Sequence, residues 1–202
     1  MKKSIILSVL GLAAAAVSSY GQGAIAFNTY NANNSNGILT TYAAGLGHGN
    51  GTTGIDSTFT GELLWSSVNI ADTATTGPVA AGSSLTAGWN VGSTGLFNTG
   101  AASAGFITAP NTVIAAAVGT ALYFEVVAFT GSSYATAGGF AGHSATFTAT
   151  LATGQTLPDA SQMNNLIPFS VYNVTAVPEP TTLALAGLGG LASLVALRRK
   201  QA

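Results

Sequence analysis

Two carboxylates are the first candidates for chemistry in this chain. Glu62 and Glu125 are the only glutamates between residues 22 and 176, and a pair of carboxyl groups about 5–9 Å apart can cleave a glycosidic bond. Both fall in segments that read as strands. Glu125 lies in an apolar one, where a raised pKa is expected for a carboxyl group. The plainer reading of each is a rim carboxylate bonded to backbone or threonine. A glycosidase cleft usually carries basic residues as well, and the middle of this chain has none. His143-Ser144 sets a base beside a nucleophile, but neighbours on a strand point to opposite faces. No Gly-x-Ser-x-Gly turn presents a serine. His48, in Gly47-His48-Gly49, reads as a solvated turn residue. Asp56, Asp72 and Asp159 are scattered, without the Asp-x-Asp spacing that suits calcium. Two distant histidines and no cysteine do not make a zinc site. No catalytic residue, cofactor or metal site is therefore expected.

Charge narrows the field further. Charged residues are 5% of the 202, against about 25% in an average domain. The five bases are Lys2, Lys3, Arg198, Arg199 and Lys200, so none lies between residues 4 and 197, where all six acids lie. The net charge of −1 thus hides an acidic body with basic ends. Such a body cannot neutralise phosphates, which excludes a nucleic-acid partner. Arginine-clamp chemistry is excluded for the same reason.

What remains is recognition by neutral surfaces. Trp65, Trp89, Tyr30, Tyr42 and Tyr134 are aromatic faces on which a glycan could stack. Core packing is the plainer reading for Trp65, whereas for Trp89, in its glycine-rich context, core packing and glycan stacking weigh nearly evenly. Thr146-Phe147-Thr148-Ala149-Thr150 and Thr58-Phe59-Thr60 alternate threonines as an ice-binding face would. Threonine also has high β propensity in any sheet, so ice binding ranks below carbohydrate binding.

The elements that must position these residues read as strands. No window shows convincing helical periodicity, and β-branched and aromatic runs cover 24–29, 38–43, 57–70, 94–108, 121–130, 144–151 and 167–174. Gly and Asn clusters separate them, with Asn36-Gly37 and Asn50-Gly51 as turn dipeptides. In 121–130, alternation puts Leu122, Phe124, Val126 and Ala128 on one face and Tyr123, Glu125, Val127 and Phe129 on the other. Two largely apolar faces predict a central strand. Seven strands without helical crossovers predict an all-β fold, an antiparallel β-sandwich. Residues 134–141 are expected to hold a short helical turn. A core of this length does not need disulfides.

The ends read as addresses. Lys2 and Lys3, an apolar run from Ile5 to Val17, and the small residues Ser19 and Gly21 form a secretory signal peptide, cut between Gly21 and Gln22. At the other end, Val177-Pro178-Glu179-Pro180 precedes an apolar stretch over 181–197, which would span about 26 Å as a helix. Arg198, Arg199 and Lys200 follow and stay cytoplasmic by the positive-inside rule. The expected organisation is a signal peptide over 1–21, a β-sandwich domain over 22–176 and a sorting segment with a single transmembrane helix over 177–202.

The order of Pro-Glu-Pro, short apolar helix and basic cluster resembles the PEP-CTERM sorting signal. The resemblance implies that Pro178, Glu179 and Pro180 are the motif recognised by exosortase, and that Arg198, Arg199 and Lys200 retain the chain in the membrane until processing. It also implies a Gram-negative bacterium with an exopolysaccharide or biofilm system. More loosely, Gly23 to Asn28, Glu62-Leu63-Leu64-Trp65, the 124–129 strand, Gly142-His143-Ser144-Ala145 and Ile167-Pro168-Phe169-Ser170 resemble uncharacterised verrucomicrobial PEP-CTERM proteins.

The expected function is that of an exported, exosortase-sorted protein of the cell surface or extracellular matrix, structural and non-enzymatic, associated with exopolysaccharide. Its processing partners are signal peptidase and exosortase, with a transient stay in the inner membrane. The alternative is a carbohydrate-binding surface module, with Trp89 and Trp65 as stacking residues, and a surface glycoside hydrolase ranks third.

Overall fold

The computed structural model describes residues 22–30, 37–48, 51–100, 102–153 and 160–176. In chain order the strands are β1 (Gly23–Ile25), β2 (Thr40–Tyr42), β3 (Phe59–Ser66), β4 (Val79–Ala80), β5 (Asn90–Leu96), β6 (Thr112–Ile114), β7 (Ala121–Thr130), β8 (Phe140–His143), β9 (Phe147–Thr150), β10 (Ala152–Thr153) and β11 (Phe169–Thr175). A 3-10 turn over Ala160–Met163 is the only helical element among the described residues. The fold is all-β, as expected.

β7 organises the molecule. It pairs with β3 from Tyr123 to Thr130 on one side. On the other side it pairs with β9 through its first half and β8 through its second. Between these two partners the chain steps off the ladder, and Ser144 bridges the gap. The Ser144 hydroxyl accepts the Val126 N–H at 3.0 Å, and the Ser144 N–H donates to the Val126 carbonyl at 2.8 Å. The larger sheet runs β2-β11-β8-β7-β3-β5, with β4 on β11 and β9 on β7, and a three-stranded sheet runs β10-β1-β6.

The alternation read from 121–130 decides the layers. Leu122, Phe124, Val126 and Ala128 share one buried cluster with Ile25, Phe27 and Ile114 from the smaller sheet and its flank. Burying this face between two sheets makes the body sandwich-like. Val127 and Phe129 point the other way, into a second cluster with Leu64, Val79, Ala137 and Ala141. Leu85, Trp89, Tyr134 and Val174 pack onto that cluster from outside, so both faces of β7 are covered.

Four details differ from expectation. The larger sheet is mixed, because β11 runs parallel to β2 and β4. Apolar alternation records which face of a strand is buried and carries no information about its partner's direction. The expected strand over 94–108 is β5 followed by a loop closed by a Phe97–Ile107 bridge. Residues 134–139 form turns and not a helix, with β8 starting at Phe140. The short strands β4, β6 and β10 carry too few residues to show a period. The expected signal peptide over 1–21 and the sorting segment from 177 onward lie outside the described residues, and no described helix is long and apolar enough to cross a membrane.

Gln162 joins the two sheets. Its amide nitrogen donates to the carbonyls of Ala24 (3.0 Å) and Thr150 (2.7 Å), and its oxygen accepts the Ala26 N–H (3.0 Å). Asn165 donates to the Thr148 carbonyl at 2.8 Å. These amides occupy backbone acceptors along β9 that an edge strand would otherwise leave open.

Candidate functional site

Glu125 is the most unusual residue of the body. It lies on β7 opposite Leu64, on the face that carries Val127 and Phe129, and its side chain is 0% exposed. His143 closes β8 opposite Val127, which places it on the same face and diagonal to Glu125. The His143 Nδ1 atom lies 3.3 Å from Glu125 Oε1 and 3.1 Å from the Ser144 carbonyl oxygen. The approach to Glu125 is a charge contact and not an aligned hydrogen bond, so neither carboxylate oxygen has a hydrogen-bond partner of good geometry.

The loop that follows β3 brings the third member. Asp72 and Thr146 exchange bonds, with the Asp72 N–H donating to Thr146 Oγ1 and the Thr146 N–H to the Asp72 carbonyl, both at 3.1 Å. The His143 N–H donates to Thr75 Oγ1 at 2.9 Å, and the Thr75 N–H to the His143 carbonyl at 3.0 Å. This strap holds the Asp72 carboxylate where it accepts the Thr73 N–H (2.9 Å) and the Thr86 hydroxyl (3.2 Å). One donor atom each from Asp72, Glu125 and His143 then lies within 4.8 Å of the others.

Burial raises the Glu125 pKa; His143 opposes that shift and Asp72 adds to it. For His143, burial works against charging, but the contact with Glu125, helped by the Ser144 carbonyl and Asp72, outweighs it and raises the pKa. Tyr134 stands edge-on to His143, with ring centroids 6.0 Å apart. Burial raises its pKa too, against a lowering hydrogen bond from Thr75. All three shifts favour the protonated form of these groups.

A second feature lies on the same side of the sheet. Glu62, Leu64, Trp89, Val91, Ser133 and Tyr134 help to line an open groove of roughly 300 Å³. Trp89 packs on the second core cluster with its indole N–H buried and without a partner, and Glu62 has its pKa raised by burial. Trp65 instead packs against the main core. Glu62 and Glu125 share a face, since Glu62 is paired with Val127. Yet Glu125 is sealed and does not line the groove, so a substrate in the groove has access to one of the two carboxylates.

The other candidates fall into place singly. His48 is exposed and stacks on Tyr42 with centroids 4.2 Å apart. Ser144 is fully buried and its hydroxyl also donates to the Ala145 carbonyl at 2.9 Å, so it faces backbone and not the imidazole. Thr148 and Thr150 are exposed on β9, a four-residue strand whose carbonyls are taken by Gln162 and Asn165; it is not part of a broad threonine array. Gln22 is exposed. Gly21, Pro178, Glu179, Pro180, Arg198, Arg199 and Lys200 lie outside the described residues.

Sequence reasoning weighed Asp72, Glu125 and His143 separately and missed their convergence. The available signal was physical: a glutamate in an apolar central strand, in a body with no Lys or Arg to neutralise it.

In comparison with known families, residues 176–200 match the PEP-CTERM protein-sorting motif. No curated protein and no solved structure matches the chain.

Proposed function

We propose, from the premise that the chain is a PEP-CTERM protein sorted by exosortase to the cell surface or beyond, that its β body is a structural and non-enzymatic component of an exopolysaccharide-associated matrix. The observation that carries this reading is the joining of that motif to a body with no Lys or Arg between residues 4 and 197. A body of this kind presents a sparsely charged, hydroxyl-rich surface, suited to packing among hydrated polysaccharide and lacking the cationic groups of most hydrolytic clefts. The sealed Glu125 supports the non-enzymatic side of the proposal, because paired-carboxylate hydrolysis needs both groups at the substrate.

The test is the intact mass of the mature protein from its native host. Loss of about 21 N-terminal residues and of the chain beyond the Pro-Glu-Pro region is the expected result, and a mass that retains residues 181–202 would overturn it. Recovery of the mature form from the polysaccharide-rich fraction, with none in washed cells, is the second expected result.

The groove favours a second reading, a glycan-binding surface module. Trp89 and Tyr134 converge there beside Glu62, an aromatic pair with a polar neighbour of the kind that sugars engage. Binding to the host's own exopolysaccharide that is lost in Trp89→Ala would select this reading over a passive one.

A further inference from the structure

We infer that Asp72, Glu125 and His143 form a binding site for a first-row divalent cation of the zinc or manganese class. Four observations converge on it. The three side chains offer one ligand atom each within 4.8 Å. Glu125 is 0% exposed and neither of its oxygens has an aligned hydrogen-bond donor, an arrangement that proteins avoid unless a positive charge is supplied. No Lys or Arg lies between residues 4 and 197, so the body holds no permanent cation to supply it. His143 Nδ1 lies 3.3 Å from Glu125 Oε1 and 3.1 Å from the Ser144 carbonyl oxygen, so a cation held by this nitrogen takes the place of the proton it otherwise directs at those oxygens.

The donor set selects the class of metal. One imidazole and two carboxylates suit zinc or manganese, whereas calcium takes oxygen ligands throughout. Three protein ligands leave room for water to complete the coordination shell. The surroundings orient the ligands: Thr73 and Thr86 bond to the Asp72 carboxylate, and Thr75 fixes the backbone of His143. Bound there, a cation would tie the loop after β3 to β7 and β8, a role independent of whether the body is passive or binds glycans.

The experiment uses the full-length chain in detergent, stripped with EDTA, and compares thermal unfolding with and without about 1 mM ZnCl2 or MnCl2. The expected result is a rise in Tm of about 5 °C or more for one of the two ions. The rise is lost in Glu125→Gln and in His143→Gln, reduced in Asp72→Asn, and retained in His48→Ala, which removes the exposed histidine. Glu125→Gln removes a buried charge, so the metal-free variant is expected to fold, and its circular dichroism checks this. Cobalt(II) titration of the wild-type chain reads coordination directly through visible absorption bands. No rise with either ion, a rise that survives both Glu125→Gln and His143→Gln, or cobalt(II) without such bands would overturn the site.

Discussion

The Glu125 carboxylate stands 3.3 Å from the His143 imidazole on the face of β7 that also buries Val127 and Phe129. The two residues meet because β7 and β8 pair in the register Val127↔His143, which sets Glu125 one diagonal step away. A one-residue slip of β8 would turn His143 to the opposite face of the sheet and leave the carboxylate without a positive neighbour.

This pair makes the metal-free protein sensitive to alkali. The folded-state pKa of Glu125 is raised above its ordinary 4.5 by burial, and that of His143 is raised above 6.5 because its partners outweigh burial. A group whose folded pKa is raised stabilises fully below its unfolded value and loses that contribution as pH rises through the folded one. The Glu125 contribution is therefore fully present below about 4.5 and that of His143 below about 6.5. Asp72 and Tyr134 are the other titratable groups facing the pair. In EDTA, Tm is expected to fall as pH rises above about 6.5, and Glu125→Gln to flatten the slope; an unchanged slope in that variant would refute the assignment.

Phe124 anchors the main core from the middle of β7. It is 0% exposed and packs against Phe147 with ring centroids 5.9 Å apart. Phe124→Ala is expected to lower stability by about 3–5 kcal/mol, the usual range for emptying an aromatic core site. Urea unfolding of the wild type and the variant measures it.

Ser144 closes the ladder where β8 gives way to β9. Its hydroxyl is the acceptor for the Val126 N–H in a fully buried position. Ser144→Ala leaves that donor without its partner and is expected to cost about 1–3 kcal/mol. Hydrogen exchange at Val126 provides a local readout, since its amide should lose protection more than those of neighbouring β7 residues.

Gly142 permits the close approach of β8 to β11. A Cβ there would press on the Ser170 carbonyl oxygen and the Val171 Cα, both backbone. Gly142→Ala is therefore expected to destabilise by roughly 1–3 kcal/mol through overpacking, whereas Gly138→Ala, with open space around the new carbon, should be tolerated. Equal melting temperatures for the two variants would contradict the packing of these strands.

Much of the architecture was legible in local pattern. The alternation over 121–130 gave the bounds of β7, its central position and the face on which Glu125 lies, because a strand's period of two ties side-chain type to burial. The sorting motif at 176–200 was legible for a different reason: it consists of a linear order of residue types, Pro-Glu-Pro, apolar run and basic cluster, which needs no fold to be read. The short strands β4, β6, β8 and β10 were not legible, since they fall outside the longer β-branched and aromatic runs and two to four residues alone cannot display a period.

Composition and order by themselves determined an all-β body without fixed positive charge, joined to a sorting segment. Only the tertiary structure decided that β11 would run parallel to β2 and β4, and that Asp72, Glu125 and His143 would meet. Burial is encoded one residue at a time, through each side chain's preference for or against water. Convergence depends on strand register and on where a loop such as 67–78 crosses the sheet, and these are set by the packing of the whole chain.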